Sequence, residues 1–304
     1  MAPRSGRNWG EQHQCQFGPW RCHWRELGPS DGKPLVLLHG FGAASGHWRS
    51  NVNGLASAGY CVYAIDLLGF GQSDQPSIAL DNRIWSRQLQ HFLVEVVQKP
   101  AVLVGNSLGG LVAITTAVFA PQLVLAVVAA PLPDPTLLNP IPKRRSPWKR
   151  KLERFLVSGI ARLLPLGPLV ALLRQPLLLR LGLMSAYANP ARIDQELISL
   201  IKQPATRSNA PRALAAMVRG MGLRPGPATA PQLLPRLRCP FLVLWGSEDR
   251  FVPAVIANKV VAYAPAIHTE LKLINGFGHC LHDEDPQQFN ELILNWLKAG
   301  SINY

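Results

Sequence analysis

Charged residues are missing from long stretches of this chain, and the gaps outline its elements. From Pro100 to Pro133 there is no Asp, Glu, Lys or Arg. About 20 apolar residues suffice to cross a bilayer, but glycines and a proline interrupt this run, and Asn106 and Ser107 sit in its middle. It divides better into a buried strand, Ala101–Val104, a turn, a helix, Leu108–Ala120, and a second buried strand, Leu123–Ala130. A parallel strand covered on both faces reads as a continuous apolar run, so the absence of charge needs no membrane. The same pattern predicts strands at Trp20–Leu27, in "PLVLL" from Pro34, in "YCVYAI" from Tyr60, in "CPFLVLWG" from Cys239 and in "TELKLING" from Thr269. Helical spacing covers Arg83–Gln98, Ile256–Tyr263 and Pro286–Ala299, with a short helix in "NVNGLASAG"; Asp285 is placed to cap the last helix and Pro286 to open it. Alternation of strands and helices predicts an α/β chain with a mostly parallel sheet covered by helices on both faces.

The alternation breaks between Leu132 and Arg238. This stretch has no convincing strand, many prolines, and helical pieces at Lys149–Leu164 and Asn209–Met221. The expected organisation is therefore a core formed by residues 1–131 and 239–304, with a helical cap, 132–238, inserted after the strand that ends at Ala130. The N-terminal "MAPRSGRNWGEQHQ" reads as a frayed tail or a short transit-like leader; it lacks the apolar core of a secretory signal.

Charge changes the picture in one place. The chain of 304 residues carries a formal net charge of +13. Residues 132–238 hold 18 Lys and Arg against 4 Asp and Glu, and the remainder holds 13 against 14. The whole basic excess thus lies in the expected cap, which is also rich in leucine. Basic and strongly apolar together suit an anionic lipid surface. The six residues Lys143, Arg144, Arg145, Lys149, Arg150 and Lys151, with Trp148 among them, are the expected contact. A transmembrane helix is disfavoured by Arg162, Arg174 and Arg180 and by Pro165, Pro168 and Pro176. Nucleic acid is disfavoured because the segment has only one Tyr, one Trp and one Phe for stacking. The five cysteines, Cys15, Cys22, Cys61, Cys239 and Cys280, are scattered without metal spacing, which predicts reduced thiols, no metal and no cofactor. Together these suggest a cytoplasmic chain, peripheral on a membrane.

The chemistry starts at Gly105-Asn106-Ser107-Leu108-Gly109. This is G-x-S-x-G between a strand and a helix, the form of a nucleophile elbow. A serine needs a base, a group that holds the base, and donors for the oxyanion. In elbow proteins the order along the chain is Ser, acid, His. Asp249 in "WGSEDRFVP" and His279 in "NGFGHCLHDEDP" keep that order, and both follow strand ends, where sites form in parallel sheets. Ser107 is the expected nucleophile, His279 the general base and then acid, and Asp249 the group that orients it. Glu248 and Asp134 are open alternatives for the acid, and His282 for the base. The backbone N–H groups of Phe41, in "HGFG", and of Leu108 are the expected oxyanion donors. His39 and Asp66 read as structural hydrogen-bonding groups in loops.

With "HGFG", "DLLGFGQSD", "GNSLGG", "GSEDRFVP" and "GHCLHDEDP" in place, the chain resembles the α/β-hydrolase fold family from Leu35 to Pro286. Asn106 and the Cys280-Leu281-His282-Asp283-Glu284 stretch resemble the pheophytinase branch in particular. That resemblance implies cleavage of a phytyl ester of a chlorophyll derivative, in a thylakoid or plastid setting. The expectation is a serine hydrolase that cleaves a small lipophilic ester through an acyl-enzyme. An acyltransferase or carbon–carbon hydrolase with the same triad, and a non-catalytic lipid or pigment carrier on the same scaffold, are the alternatives.

Overall fold

The computed structural model describes residues 9–139, 148, 159 and 166–300. Eight strands form one sheet: β1 (Glu11–Phe17), β2 (Trp20–Leu27), β3 (Lys33–Leu38), β4 (Tyr60–Ile65), β5 (Ala101–Asn106), β6 (Val124–Ala130), β7 (Phe241–Gly246) and β8 (Thr269–Ile274). Their order is β1-β2-β4-β3-β5-β6-β7-β8. β1 and β2 pair antiparallel, and β2 joins β4 antiparallel; every later pairing is parallel. The sheet is the α/β-hydrolase arrangement expected from the motifs.

Among the described residues the helices are α1 (Val52–Ser57), α2 (Asn82–Phe92), α3 (Leu108–Phe119), α4 (Leu166–Leu173), α5 (Pro176–Leu183), α6 (Gln195–Ala205), α7 (Ala210–Leu223), α8 (Ala230–Leu233), α9 (Val255–Tyr263), α10 (Leu281–Glu284) and α11 (Pro286–Ala299). The charge-free strands feed two cores, because successive side chains point to opposite faces. Val36, Leu38, Leu103, Val127 and Val243 pack with Leu89 of α2 and Leu111 of α3. Leu35, Leu37, Val104, Val128 and Leu244 pack with Leu55 of α1 and with Phe289, Ile293 and Trp296 of α11. Asp285 caps α11 by accepting from Gln288 N at 3.0 Å.

Two readings change. Glu11–Gln14 is no frayed tail: it is half of β1, paired residue for residue with β2 from Glu11↔Glu26 to Phe17↔Trp20. The helix expected over Arg83–Gln98 is regular only to Phe92; it ends in one widened turn, Leu93–Val97, closed by Gln98 at φ 57. Between β6 and β7 the described residues hold helices and no strand. The piece expected at Lys149–Leu164 and the cluster Lys143–Lys151 lie outside the described residues, except Trp148 and Gly159. All five cysteines are free thiols. Among the described residues no single helix is long and apolar enough to cross a membrane.

Candidate active site

Four strands of the parallel part deliver the site. β3 ends in the His39–Gly42 loop, β5 in Ser107, β7 leads to Asp249, and β8 to His279. Ser107 occupies a strained corner, with φ 53 and ψ −116, one of two non-glycine residues at positive φ among those described. Such strain costs about 1–3 kcal/mol and persists only where the surroundings enforce it. The flanking glycines show how. A Cβ on Gly105 would lie 2.2 Å from the Gly109 carbonyl carbon, and one on Gly109 would lie 2.2 Å from Leu38 O. Strand, corner and helix therefore pack closer than any side chain permits. Leu108 is the first residue of α3, so no carbonyl of its own helix can accept its N–H. The N-terminus of α3 thus faces the serine with free donors and the positive end of its dipole.

Asp249 is buried and divides its oxygens. Oδ1 accepts from Phe251 N at 2.9 Å and Val252 N at 2.8 Å. Oδ2 meets His279 Nδ1 at 2.8 Å, which leaves Nε2 of the ring for other work. The alternatives sit differently. Asp134 is 2% exposed and accepts from Thr136 N at 3.0 Å and Ala230 N at 2.7 Å; it also pairs with the buried Arg224 guanidinium. Glu248 is exposed. His282 is wholly buried, its ring 4.3 Å from that of Trp48, and neither of its nitrogens has a hydrogen-bond partner among the described residues. His39 donates from Nδ1 to Gly40 O at 2.7 Å and accepts at Nε2 from Leu67 N, in the loop after β4, at 3.0 Å. Asp66 gathers Ser45 N, Gln72 N and His23 Nδ1 at 2.6, 2.8 and 2.9 Å. Burial alone would raise its pKa, but these bonds and the nearby imidazoles hold it at about 2.

Several contributors escaped sequence reading. Asn106 donates to Ala130 O at 2.7 Å and to His279 O at 3.1 Å, so the residue before the serine ties the elbow to the histidine loop. On its other side that loop is fastened to the segment between β6 and β7. His279 N donates to Ala186 O at 2.7 Å. Glu284 accepts from Gly278 N and Ala188 N, both at 2.9 Å, and from Asn189 N at 3.4 Å. Burial pushes Glu284 upward against those donors. Beneath it, Tyr187 donates to Asp283 Oδ2 at 2.9 Å and meets His47 Nε2 at 3.0 Å. Buried Arg49 gathers Asp194, Glu196 and Asp283 at 3.0, 3.2 and 3.6 Å. The "HDED" run hinted at this only as an unusual density of acids.

These buried imidazoles set a pH dependence. Burial lowers His39, and lowers His282 well below its ordinary value; it brings His47 to about 4, with Arg49 opposing and Asp283 favouring the charge. For a base depressed in the folded state, the unfolded chain binds the proton first. Stability is then full above about pH 6.5 and is lost as pH falls toward 4. Glu284, raised, works the other way over the lower part of that window. The shift of His47 alone corresponds to about 3 kcal/mol. Urea midpoints should therefore be clearly lower at about pH 5 than at about pH 7.5; equal midpoints would refute the assignment of neutral buried imidazoles.

Beside the His39–Gly42 loop lies a cavity of about 220 Å³, lined by Phe41, Phe70, Val170, Leu179, Ile201 and Met217 among others. Among the described residues Gln75 is the one polar side chain in its wall. A larger cavity, about 330 Å³, is polar, with Arg25, Asp66, Gln72 and Gln203 in its wall; the walls of both cavities are built from residues other than Ser107, Asp249 and His279, and the apolar one reaches the site through Phe41 and Gly42 of the loop after β3. Glu11, His13 and Glu26 on β1 and β2 offer ligand atoms within 4.8 Å of one another, but His13 stacks on Trp24 at 4.4 Å, and β1 and β2 are at the edge of the sheet, far in strand order from β5.

Comparison with known proteins bears on the family and the fold. A model described as "Alpha/beta hydrolase family" matches residues 35–292. A 2-hydroxy-6-oxononadienedioate/2-hydroxy-6-oxononatrienedioate hydrolase of a Pseudomonas species is 28% identical over 280 residues, covering 90% of this chain and 91% of the relative. A 2-hydroxy-6-oxo-6-phenylhexa-2,4-dienoate hydrolase of Burkholderia cepacia is 28% identical over 300 residues, covering 92% of each. The crystal structure of Cfl2 from Burkholderia cenocepacia superposes with a TM-score of 0.77 at 22% identity, over 94% of this chain and 95% of that one, a likeness of fold. These relatives carry no pheophytinase name, so the branch expected from Asn106 and the Cys280 stretch finds no support in them.

Proposed function

The chain belongs to the alpha/beta hydrolase family, and from that premise we propose that it hydrolyses a bond next to a carbonyl in a substrate bearing an apolar arm. Ser107 Oγ attacks the carbonyl carbon while His279 Nε2 takes its proton. Asp249 holds His279 in the tautomer with the proton on Nδ1 and stabilises the imidazolium. The N–H groups of Phe41 and Leu108 receive the oxyanion, each worth roughly 3 kcal/mol in the transition state. His279 then protonates the leaving group, and a water activated by the same imidazole releases the acyl group.

The observation that carries the reading is the pairing of an acid–imidazole contact of 2.8 Å with an apolar cavity bordered by the Phe41 loop. For the bond itself, the carbon–carbon bond is the first choice, since relatives similar over nine-tenths of the chain bear that kind of name. A cavity with no cationic side chain among the described residues of its wall fits the phenyl arm of the Burkholderia cepacia relative's named substrate better than the second carboxylate of a dioate. A lipophilic carboxylic ester is the second reading, favoured by the same wall; nothing in the wall points to a phytyl chain in particular.

A substrate panel tests both. The 6-phenyl dienoate should exceed the nonadienedioate in kcat/KM by tenfold or more. For 4-nitrophenyl esters, kcat/KM should rise roughly fourfold per added methylene while the chain stays inside the cavity, from about 0.8 kcal/mol per buried CH₂. Preference for the dioate, or for acetate over longer esters, would overturn the apolar-arm reading.

A further inference from the structure

The helices α4 and α5 present leucine on both sides. Their inner faces carry Val170 and Leu179 into the wall of the apolar cavity. Their outer faces leave Leu172, Leu177, Leu178 and Leu181 at 50, 69, 41 and 55% exposure, followed by Met184 at 39%. A surface helix of a water-facing protein keeps apolar residues to one stripe; a helix apolar all round needs cover. The two helices meet at 88°, with Arg174 and Gln175 at the bend. The exposed leucines therefore form a convex knuckle.

We propose that this knuckle docks on an anionic phospholipid surface, and that the substrate arm passes between bilayer and cavity along α4 and α5. Three observations select the occupant. Residues 166–184 contain two arginines and no acid. The guanidinium groups of Arg174 and Arg180 donate to protein carbonyls, Nε of Arg174 to Ala205 O at 2.9 Å and Nη1 of Arg180 to Ile193 O at 2.8 Å, which keeps their charge at the base of the knuckle, at headgroup height when the leucines are immersed. The surrounding segment, 132–238, carries 18 Lys and Arg against 4 Asp and Glu. A second copy of the chain would bring like charge against like charge, and a convex ridge is a poor match for itself.

The docking is independent of the reaction, while the passage of the arm rests on the function proposed above, so the test reads the two separately. The full-length chain is sedimented with vesicles of pure phosphatidylcholine and with vesicles containing about a third phosphatidylglycerol. The comparison variant is Leu177→Ser with Leu178→Ser and Leu181→Ser; none of the three lines the cavity. Wild type should partition at least tenfold more strongly onto the anionic vesicles. That advantage should collapse near 1 M salt, where the Debye length is about 3 Å. The triple variant should lose tenfold or more in partitioning, with its thermal midpoint and its turnover of a short soluble ester unchanged. Ser107→Ala should bind vesicles as wild type does, so a failed reaction leaves the docking standing. Wild type that ignores anionic vesicles, or a triple variant that binds like wild type, overturns the proposal. So does a wild-type dimer in size-exclusion light scattering that the triple variant converts to monomer, because the knuckle would then be covered by a second copy.

Discussion

Ser107→Ala should reduce turnover by about a millionfold, the scale lost when a triad nucleophile is removed, and should abolish labelling by a fluorophosphonate. The fold should not suffer. Alanine keeps the Cβ, the N–H that donates to Ala130 O at 3.2 Å and the φ of 53, so the strain at the corner is unchanged. Glycine at the same place removes that strain, and Ser107→Gly should raise the melting midpoint while being equally inactive. That pairing separates chemistry from stability: a residue kept only as a small turn former would be improved by glycine without loss of rate. A purified Ser107→Ala protein that retains even a hundredth of wild-type turnover would remove Ser107 from the reaction.

How much of this was legible beforehand depended on the range of the interaction. The charge-free runs reveal buried strands because a strand covered on both faces has no polar side to display. The order Ser107, Asp249, His279 follows from motifs that are local in sequence. β1 was missed for the opposite reason. "EQHQCQF" is an edge strand half in solvent, and its alternation is too weak to stand out from a polar tail. The prolines between β6 and β7 looked like breaks, but Pro176 opens α5 at its first turn, where its missing N–H costs nothing. The fastening of the histidine loop could not be read at all. Asn106 reaches His279 across 173 positions, and Glu284 reaches Ala188 across 96. No spacing rule links such pairs; only the closed sheet brings them together. Asn106 therefore stood out as a mark of resemblance, when its amide is a physical tie between the Ser107 corner and the His279 loop.

The choice between Asp249 and Asp134 is of the same kind, since each follows the end of a parallel strand. What separates the two in the structure is which partners each already has. Asp249 spends one oxygen on two backbone N–H groups and keeps the other for His279 Nδ1 at 2.8 Å. Asp134 spends both oxygens on Arg224, Thr136 and Ala230. Asp249→Asn should therefore lower kcat by about 10⁴, because an amide can hold the imidazole in the wrong tautomer and cannot stabilise its charged form. Its stability should move little, since the amide oxygen can still accept from Phe251 and Val252. Asp134→Asn should do the reverse. It leaves the Arg224 guanidinium buried without a counter-charge, a loss of about 3–5 kcal/mol, while the protein that remains folded at low temperature turns over at the wild-type rate. Urea midpoints and single-turnover rates on both variants decide the matter. A rate collapse in Asp134→Asn with stability intact would transfer the orienting role to the end of β6, and the hydrogen bond from His279 to Asp249 would then be structural only.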